Sequence, residues 1–220
     1  MTTPRRYDLI AFDWDGTLFD STALIVRCIQ AACRDLGVAV PDDGRAAHVI
    51  GLGLRDALAY AVPNLPVERY AELGGRYRHH YVANQDEVVL FDGVLPMLRE
   101  LKAHGHRLAV ATGKSRRGLD EALDGAQLRS LFDATRTAEQ TRSKPHPLML
   151  DELIGELNVS AARTLMIGDT SHDLQLARNA GVDGVAVGYG AHGPDELLPY
   201  APLFVARSVA ELHEWLRRHG

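Results

Sequence analysis

The most constraining feature of this sequence is a series of short apolar runs that end abruptly at glycine, at aspartate or at a Thr-Gly pair. Continuous apolar runs of this length, bounded by turn-forming residues, are typical of strands buried on both faces of a sheet. The runs occupy residues 7–12, 106–111, 163–167, 184–187 and, more briefly, 203–205. We therefore expect these segments to form one buried sheet.

Segments with helical spacing separate the runs. Leu95, Leu98 and Leu101 recur every third residue, and the last segment opens with a capping-box pattern from Ser208 to Glu211. Strands that alternate with helices in this way predict a parallel sheet covered by helices. The expected fold class is α/β, a Rossmann-like parallel sheet with helices on both faces.

One long stretch interrupts the alternation. It contains no convincing strand and only helical patterns, at residues 23–36, 45–50, 54–61 and 67–83. A connection of about seventy residues is too long for an ordinary loop between a strand and a helix. We predict a separate helical cap at residues 19–89, inserted after the first strand of an α/β core formed by residues 1–18 and 90–220.

Composition excludes several classes of protein. Hydrophobic residues make up 46% of the chain and charged residues 24%, which is typical of a globular domain. The net charge of −5 argues against a nucleic-acid partner. No apolar run approaches the roughly 20 residues that span a bilayer, and the first residues do not resemble a signal peptide. We expect a cytoplasmic protein without a membrane partner, and its oligomeric state stays open.

Carboxylates follow two of the expected strands. Asp13 and Asp15 come directly after the first run, and Asp169 follows the run 163–167, with Asp173 one helical turn later. The carboxyl ends of parallel strands form the ligand site of open α/β sheets, so these side chains should converge there. Clustered carboxylates need a cation, and oxygen ligands without His or Cys suit Mg²⁺.

Groups that bind anions are expected at the same edge. Thr112 and the amides around Gly113 end the run 106–111, and Lys144 lies in a later loop. A hydroxyl, an ammonium and backbone amides together are suited to hold a phosphate group. The tripeptide Gly113-Lys114-Ser115 resembles the end of an ATP-binding P-loop, but Leu108 stands where that motif needs its first glycine. We therefore exclude this mode of ATP binding.

Four motifs carry a resemblance to a known family. In this order and setting, they resemble the four motifs of the haloacid dehalogenase-like hydrolase superfamily, and the helical insertion resembles its type-1 cap. Within the superfamily the chain is similar to the phosphoglycolate phosphatase-like and β-phosphoglucomutase-like branch, over nearly its whole length. The motifs are Asp13-x-Asp15-Gly16-Thr17, Thr112-Gly113, Lys144-Pro145 and Gly168-Asp169-Thr170-x-x-Asp173.

The resemblance implies catalytic and phosphate-binding roles. Asp13 would be the nucleophile that forms an aspartyl-phosphate, and Asp15 would be the general acid and then the general base. Thr112, with the amides near Gly113, and Lys144 would hold the phosphoryl oxygens.

The resemblance also implies a Mg²⁺ site. Asp13, Asp169 and the backbone carbonyl of Asp15 would bind the ion. Asp173 would support these ligands or bind through water, although the pattern from Thr170 to Asp173 also fits a purely structural helix cap.

The implied activity is a Mg²⁺-dependent phosphatase acting on a small phosphorylated molecule, with phosphoglycolate as the leading candidate. Asp15 favours this over the dehalogenase branch, which lacks an aspartate at that position. Residues 50–55 resemble a substrate-specificity loop, although a plain connecting loop is the alternative. Two other functions stay open: a sugar-phosphate mutase, which Leu54 disfavours because it replaces the arginine of the mutase pattern, and a non-catalytic binding protein.

Two further expectations concern aromatic and imidazole side chains. Trp14 lies between two site aspartates and should point away from them into the core. The ten histidines show no spacing typical of metal ligands, and we expect most of them on the surface.

Overall fold

The computed structural model describes residues 6–220, so the first five residues of the predicted core lie outside the described part. Six strands form one parallel sheet in the order β5-β4-β1-β6-β7-β8, and β2 pairs with β3 in a separate antiparallel ribbon. The strands are β1 (Leu9–Phe12), β2 (Phe19–Asp20), β3 (Val89–Leu90), β4 (Arg107–Thr112), β5 (Ala134–Thr137), β6 (Thr164–Gly168), β7 (Asp183–Val187) and β8 (Val205–Ala206).

Ten α-helices accompany the strands within residues 6–220. They are α1 (Thr22–Asp35), α2 (Asp43–His48), α3 (Leu54–Ala61), α4 (Tyr70–Asn84), α5 (Val94–Ala103), α6 (Arg116–Gly125), α7 (Leu148–Glu156), α8 (Ser171–Asn179), α9 (Pro194–Leu197) and α10 (Val209–His219). None of them combines the length and the apolar character that crossing a bilayer requires.

The sheet is buried on both faces, as its apolar strands predict. Ile10 and Phe12 of β1 pack in a cluster with α5, α6 and α10, whereas Leu9 and Ala11 pack on the opposite face in a cluster with α7 and α8. This division follows from the alternation of side chains along a strand. The predicted α/β class, with helices on both faces of a parallel sheet, is confirmed.

Two features of the sheet differ from the sequence prediction. The strand β5 was not predicted, because its sequence Ala-Thr-Arg-Thr contains no apolar run. It lies at the edge of the sheet, where Arg136 projects outward to form ion pairs with Glu152 and Glu156 of α7. The predicted strand at 203–205 is displaced to Val205–Ala206.

Helices α1 to α4 lie between β2 and β3, within the stretch 19–89, which we call the insert. They enclose an apolar cluster of their own, which includes Ile29, Leu58 and Leu73. The expectation that this stretch contains no strand was wrong at its two ends, where β2 pairs with β3. A two-residue strand leaves no periodic signal, and its partner lies about seventy residues away. The insert boundaries at 19 and 89 stay a prediction.

Candidate active site

Three adjacent strands bring residues of three motifs together at the carboxyl ends of the strands, which we call the site edge of the sheet. In the register, Phe12 of β1 lies opposite Val110 of β4 on one side and Ile167 of β6 on the other. The residues that follow, Asp13 and the two segments containing Thr112 and Asp169, therefore leave the sheet at the same level. β1 is also where the strand order reverses, which is the usual ligand site of such sheets.

Asp13 and Lys144 form a buried ion pair at this edge. Both side chains are fully buried, and Asp13 Oδ1 lies 2.5 Å from Lys144 Nζ. The same ammonium lies 2.7 Å from Asp173 Oδ1. The other oxygen of Asp13, Oδ2, is buried and has no hydrogen-bond partner within residues 6–220. Asp13 thus has one oxygen held by Lys144 and one that is unpaired.

Asp169 is held in place by two hydrogen-bond donors. The Thr17 hydroxyl donates to Oδ1 at 2.9 Å, and the Ala191 N–H donates to Oδ2 at 2.7 Å. Gly16 adopts a left-handed backbone with φ of +81°, and a Cβ at this position would lie 2.1 Å from Asp169 Oδ2. Only glycine can therefore occupy position 16 beside this carboxylate.

The donor atoms of this edge fit a divalent cation. One carboxylate oxygen from each of Asp13, Asp169 and Asp173 lies within 4.8 Å of the others. The cluster has three carboxylates, and two of them contact one ammonium, Lys144, so a divalent cation would balance the charge of the ionised cluster. With the unpaired Asp13 Oδ2 and a donor set of oxygens alone, the residues present fit Mg²⁺.

Burial also alters the acidity of these carboxyl groups. It raises the pKa of Asp13 to about 7, although Lys144 opposes this rise. Burial, followed by repulsion from Asp13 and Asp173, raises the pKa of Asp169 well above its usual value. Without a cation, burial therefore favours the protonated forms of Asp13 and Asp169, and a bound cation would favour their ionised forms.

Asp173 makes a helix-capping contact and a contact with Lys144. Its Oδ2 accepts hydrogen bonds from the Thr170 N–H at 3.1 Å and the Thr170 hydroxyl at 2.6 Å, which caps α8. Its Oδ1 meanwhile faces Lys144. The capping contact and the contact with the site therefore coexist on one carboxylate.

The side chain of Asp15 lies apart from the three clustered carboxylates and has its own partners. The Ser21 hydroxyl donates to Oδ1 at 2.8 Å, and Lys114 Nζ lies 3.0 and 3.2 Å from the two carboxylate oxygens. Lys114 also donates to the Tyr81 hydroxyl at 3.0 Å, and its ammonium lies 4.8 Å from the centre of that ring. Burial tends to lower the pKa of Lys114, but Asp15 and Tyr81 together more than offset this and raise the pKa above its usual value.

Thr112 and Gly113 face the insert. Thr112 is buried, and its hydroxyl oxygen accepts a hydrogen bond from the Lys114 N–H at 3.2 Å. A Cβ on Gly113 would lie 2.3 Å from the carbonyl oxygen of Leu52 and 2.6 Å from that of Gly51. The loop between α2 and α3, residues 49–53, which we call the insert loop, therefore lies directly against the end of β4.

A cavity of about 1670 Å³ opens beside Asp15, between the insert and the end of the sheet. Its walls include Lys114 and Gly113 on the sheet side, with Tyr77 and Tyr81 of α4 opposite. The cavity therefore has room for a small organic molecule next to Asp15.

The comparison with known proteins assigns the family. Residues 10–187 match the family model described as haloacid dehalogenase-like hydrolase. The chain belongs to this family. A relative from Dickeya dadantii named "Probable phosphatase IndB" is 35% identical over 93% of this chain and 91% of its own length.

Two further matches cover nearly all of this haloacid dehalogenase-like hydrolase. A 5′-nucleotidase from Pseudomonas aeruginosa is 33% identical over 97% of both chains. The crystal structure of a predicted phosphoglycolate phosphatase from Haemophilus somnus has a TM-score of 0.86 at 25% identity, covering 96% of this chain and 99% of that one. The fold is therefore shared along nearly the whole length of this chain.

Sequence reasoning missed several groups in this haloacid dehalogenase-like hydrolase. Lys114 was considered only as part of a P-loop pattern, and nothing pointed to Tyr81, because their contacts span 33 residues or more along the chain. A signal for Lys114 was its place directly after Thr112 and Gly113.

The expectation that most histidines lie on the surface holds for seven of the ten: His79, His104 and His219 are exposed, and four others are partly exposed. His172 and His192 are buried beside the site. Trp14 is 1% exposed and stacks on Phe19 at 4.7 Å, so its predicted orientation into the core is confirmed.

Proposed function

We propose that this protein hydrolyses phosphomonoesters in a Mg²⁺-dependent reaction through an aspartyl-phosphate on Asp13. The main support is the buried carboxylate of Asp13, with one oxygen on Lys144 and the other unpaired, next to Asp169. An anionic nucleophile and an anionic phosphoryl group repel one another, so this chemistry requires concentrated positive charge. Lys144 supplies part of that charge.

In the first step, an Asp13 oxygen attacks phosphorus as the bond from phosphorus to the leaving oxygen breaks. Asp15 donates a proton to that oxygen, and the free alcohol leaves. The Thr112 hydroxyl, the Gly113 amide and the Lys144 ammonium hold the phosphoryl oxygens.

In the second step, Asp15 takes a proton from water as the water attacks the phosphorus of the aspartyl-phosphate. Phosphate is released, and the Asp13 carboxylate is restored. Ser21 and Lys114 hold Asp15 where it can serve both steps.

The carboxylates of Asp13 and Asp169 and the backbone carbonyl of Asp15 would hold Mg²⁺. The ion would supply positive charge that stabilises the transferring phosphoryl group. Asp173 would hold Lys144 in position. It would also either support the metal ligands without contacting the ion or bind the ion through a water molecule.

We further propose that the insert, residues 19–89, is a separate cap domain that selects the substrate. Phosphoglycolate is the first candidate substrate. The similarity to the predicted phosphoglycolate phosphatase from Haemophilus somnus supports it. A second candidate class is larger phosphomonoesters such as nucleoside 5′-monophosphates. The cavity of about 1670 Å³ and the similarity to a 5′-nucleotidase favour this class.

The test is a phosphate-release screen with and without Mg²⁺, using 2-phosphoglycolate, nucleoside 5′-monophosphates and hexose 1-phosphates. We expect Mg²⁺-dependent release with at least one of them, and none from Asp13→Asn, since an amide is a poor nucleophile. In wild-type protein, beryllium fluoride should form a stable mimic of the aspartyl-phosphate, and in Asp13→Asn it should not.

The same screen separates the alternatives. Conversion of a hexose 1-phosphate to its 6-phosphate without free phosphate would identify a mutase. Binding of phosphorylated compounds without turnover of any of them would identify a non-catalytic protein.

A further inference from the structure

Three histidines from separate elements meet beside the active site. His48 is the last residue of α2 in the insert, His172 lies in the first turn of α8, and His192 precedes α9. The rings of His48 and His192 are stacked with centroids 4.9 Å apart, and the His172 ring meets that of His48 edge-on at 5.2 Å. His172 and His192 are 8% and 2% exposed, so they are buried at the contact between the insert and the core.

The hydrogen bonds of His192 define which ring nitrogen carries its proton. The Ser171 N–H donates to Nδ1 at 3.0 Å, so Nδ1 carries no proton. The proton is therefore on Nε2, which lies 3.2 Å from the backbone carbonyl oxygen of His48 and donates to it. Both nitrogens of His192 are thus in use. The nearby cluster of His48, His192 and Glu196 consequently has no free lone pair on His192 for a metal ion.

His172 donates to the same acceptor. Its Nε2 lies 2.8 Å from the His48 carbonyl oxygen, which has no hydrogen to give, so the ring nitrogen is the donor. The carbonyls in the last turn of a helix lack partners within the helix, which makes the end of α2 a good acceptor. Two buried histidines of the core therefore hold one carbonyl of the insert.

The insert loop begins directly after His48, whose carbonyl oxygen accepts hydrogen bonds from the two histidines. This loop approaches the site so closely that a Cβ on Gly51 would lie 3.9 Å from Lys144 Nζ. At its other end, the Gly53 N–H donates to Ser143 Oγ at 2.8 Å. The histidine pair thus fixes the start of the loop, and Ser143 fixes its end.

The segment that carries His192 also holds the predicted metal ligand Asp169. The His192 N–H donates to the Asp169 carbonyl at 3.3 Å, and the preceding Ala191 N–H donates to the Asp169 side chain. The hydrogen bonds therefore connect the end of α2 to Asp169 through a single residue.

We propose that His172 and His192 are positioning residues that hold the insert loop over the phosphate site through the His48 carbonyl and so set the affinity for substrate. This inference rests on the proposed phosphatase function. Neither histidine touches the reacting atoms. A bound substrate needs the loop in place, so a loop that is less often in place weakens binding by the same factor.

The test replaces one donor at a time. His172→Leu keeps most of the side-chain volume and removes the hydrogen bond, whereas His172→Gln places an amide donor at nearly the position of Nε2. We expect His172→Leu and His192→Leu each to raise KM about fivefold to tenfold, the loss of one hydrogen bond, with a smaller change in kcat. His172→Gln should restore most of the affinity, and His79→Leu, an exposed histidine of the insert, should leave KM unchanged.

A second measurement does not depend on activity. Hydrogen–deuterium exchange of residues 49–53, measured without substrate, should accelerate about twofold in both Leu variants and return towards the wild-type rate in His172→Gln. Unchanged exchange together with unchanged KM would overturn the proposal. So would an equal loss in His172→Gln and His172→Leu, which would indicate a steric role for the ring. If the phosphate-release screen is negative, faster exchange in the Leu variants still supports the clamp, so the two proposals can fail separately.

Discussion

At the residue scale, the chemistry of Asp13 follows from its burial. A carboxylate that is 0% exposed loses its hydration, and Lys144 compensates only one of its oxygens. The cost of ionisation appears as the raised pKa, and a nucleophile must be ionised to react. If Asp13 is the nucleophile, as we propose, the positive charge around it is needed to ionise its carboxyl group as well as to stabilise the reaction.

The raised pKa of Asp13 predicts how stability depends on pH in metal-free protein. Its folded-state pKa of about 7 lies above the ordinary value of 3.8, so the folded protein binds this proton more tightly than the unfolded chain. Lowering the pH from 8 to 5 should therefore increase the free energy of unfolding of the wild type relative to Asp13→Asn. Urea unfolding in EDTA at several pH values measures this difference, and parallel pH profiles for the two proteins would contradict it.

Asp15 predicts a dependence on the leaving group. If Asp15 protonates the leaving oxygen, Asp15→Asn should slow the first turnover of alkyl phosphates by about 10²-fold or more. It should affect p-nitrophenyl phosphate much less, because p-nitrophenolate leaves without a proton. Rapid-quench measurement of the alcohol released in the first turnover isolates this step. An equal loss for both substrates would instead assign Asp15 a structural role.

The sequence predicts a site residue when that residue lies at the end of a recognisable strand. Asp13, Thr112 and Asp169 were identifiable because each follows a strand whose apolar run is visible in the sequence. Lys114 and Tyr81 were not, since a lysine in a loop is usually a surface residue and a tyrosine on a helical pattern is usually a surface or core residue. Their role depends on a contact between the insert and the core, which no local pattern encodes.

At the element scale, the insert loop and the end of β4 meet backbone to backbone. Gly113→Ala would place a Cβ 2.3 Å from the Leu52 carbonyl, which is too close, so the loop must move away. We expect KM to rise about tenfold, as for a loop that is docked in a small fraction of molecules. Gly155→Ala in α7 meets no atom within 4 Å and is the matched control, with unchanged KM and equal or slightly higher stability. Equal KM values for the two variants would contradict the close contact.

Elements with a strong local pattern were predicted well. The apolar runs gave β1, β4, β6 and β7, and the helical pattern at residues 54–61 coincides with α3. The strands β2, β3 and β5 were missed because they are short or polar and are defined by distant pairing partners. Strand propensity depends strongly on such context.

At the scale of the whole molecule, a bound cation should connect distant parts of the chain. Asp13 and Asp169 are separated by more than 150 positions in sequence, and a ligand that binds only the folded protein stabilises it. Mg²⁺ should therefore raise the melting temperature of the wild type, and Asp169→Asn should need at least about tenfold more Mg²⁺ for half of that rise.

The control for this experiment is Asp195→Asn, which removes an exposed carboxylate at the start of α9. Its Mg²⁺ titration should match that of the wild type. If Asp169→Asn also gives the wild-type titration, Asp169 is not a ligand of the ion.

The ribbon of β2 and β3 has a consequence for how such proteins diversify. Phe19 pairs with Leu90 and Asp20 with Val89. The chain therefore leaves the α/β core and returns to it at neighbouring points. Any helical segment whose two ends lie one strand spacing apart could be spliced onto these attachment points without displacing Asp13. Evolution can thus exchange the insert, which we propose selects the substrate, while Asp13 and its neighbours are inherited unchanged.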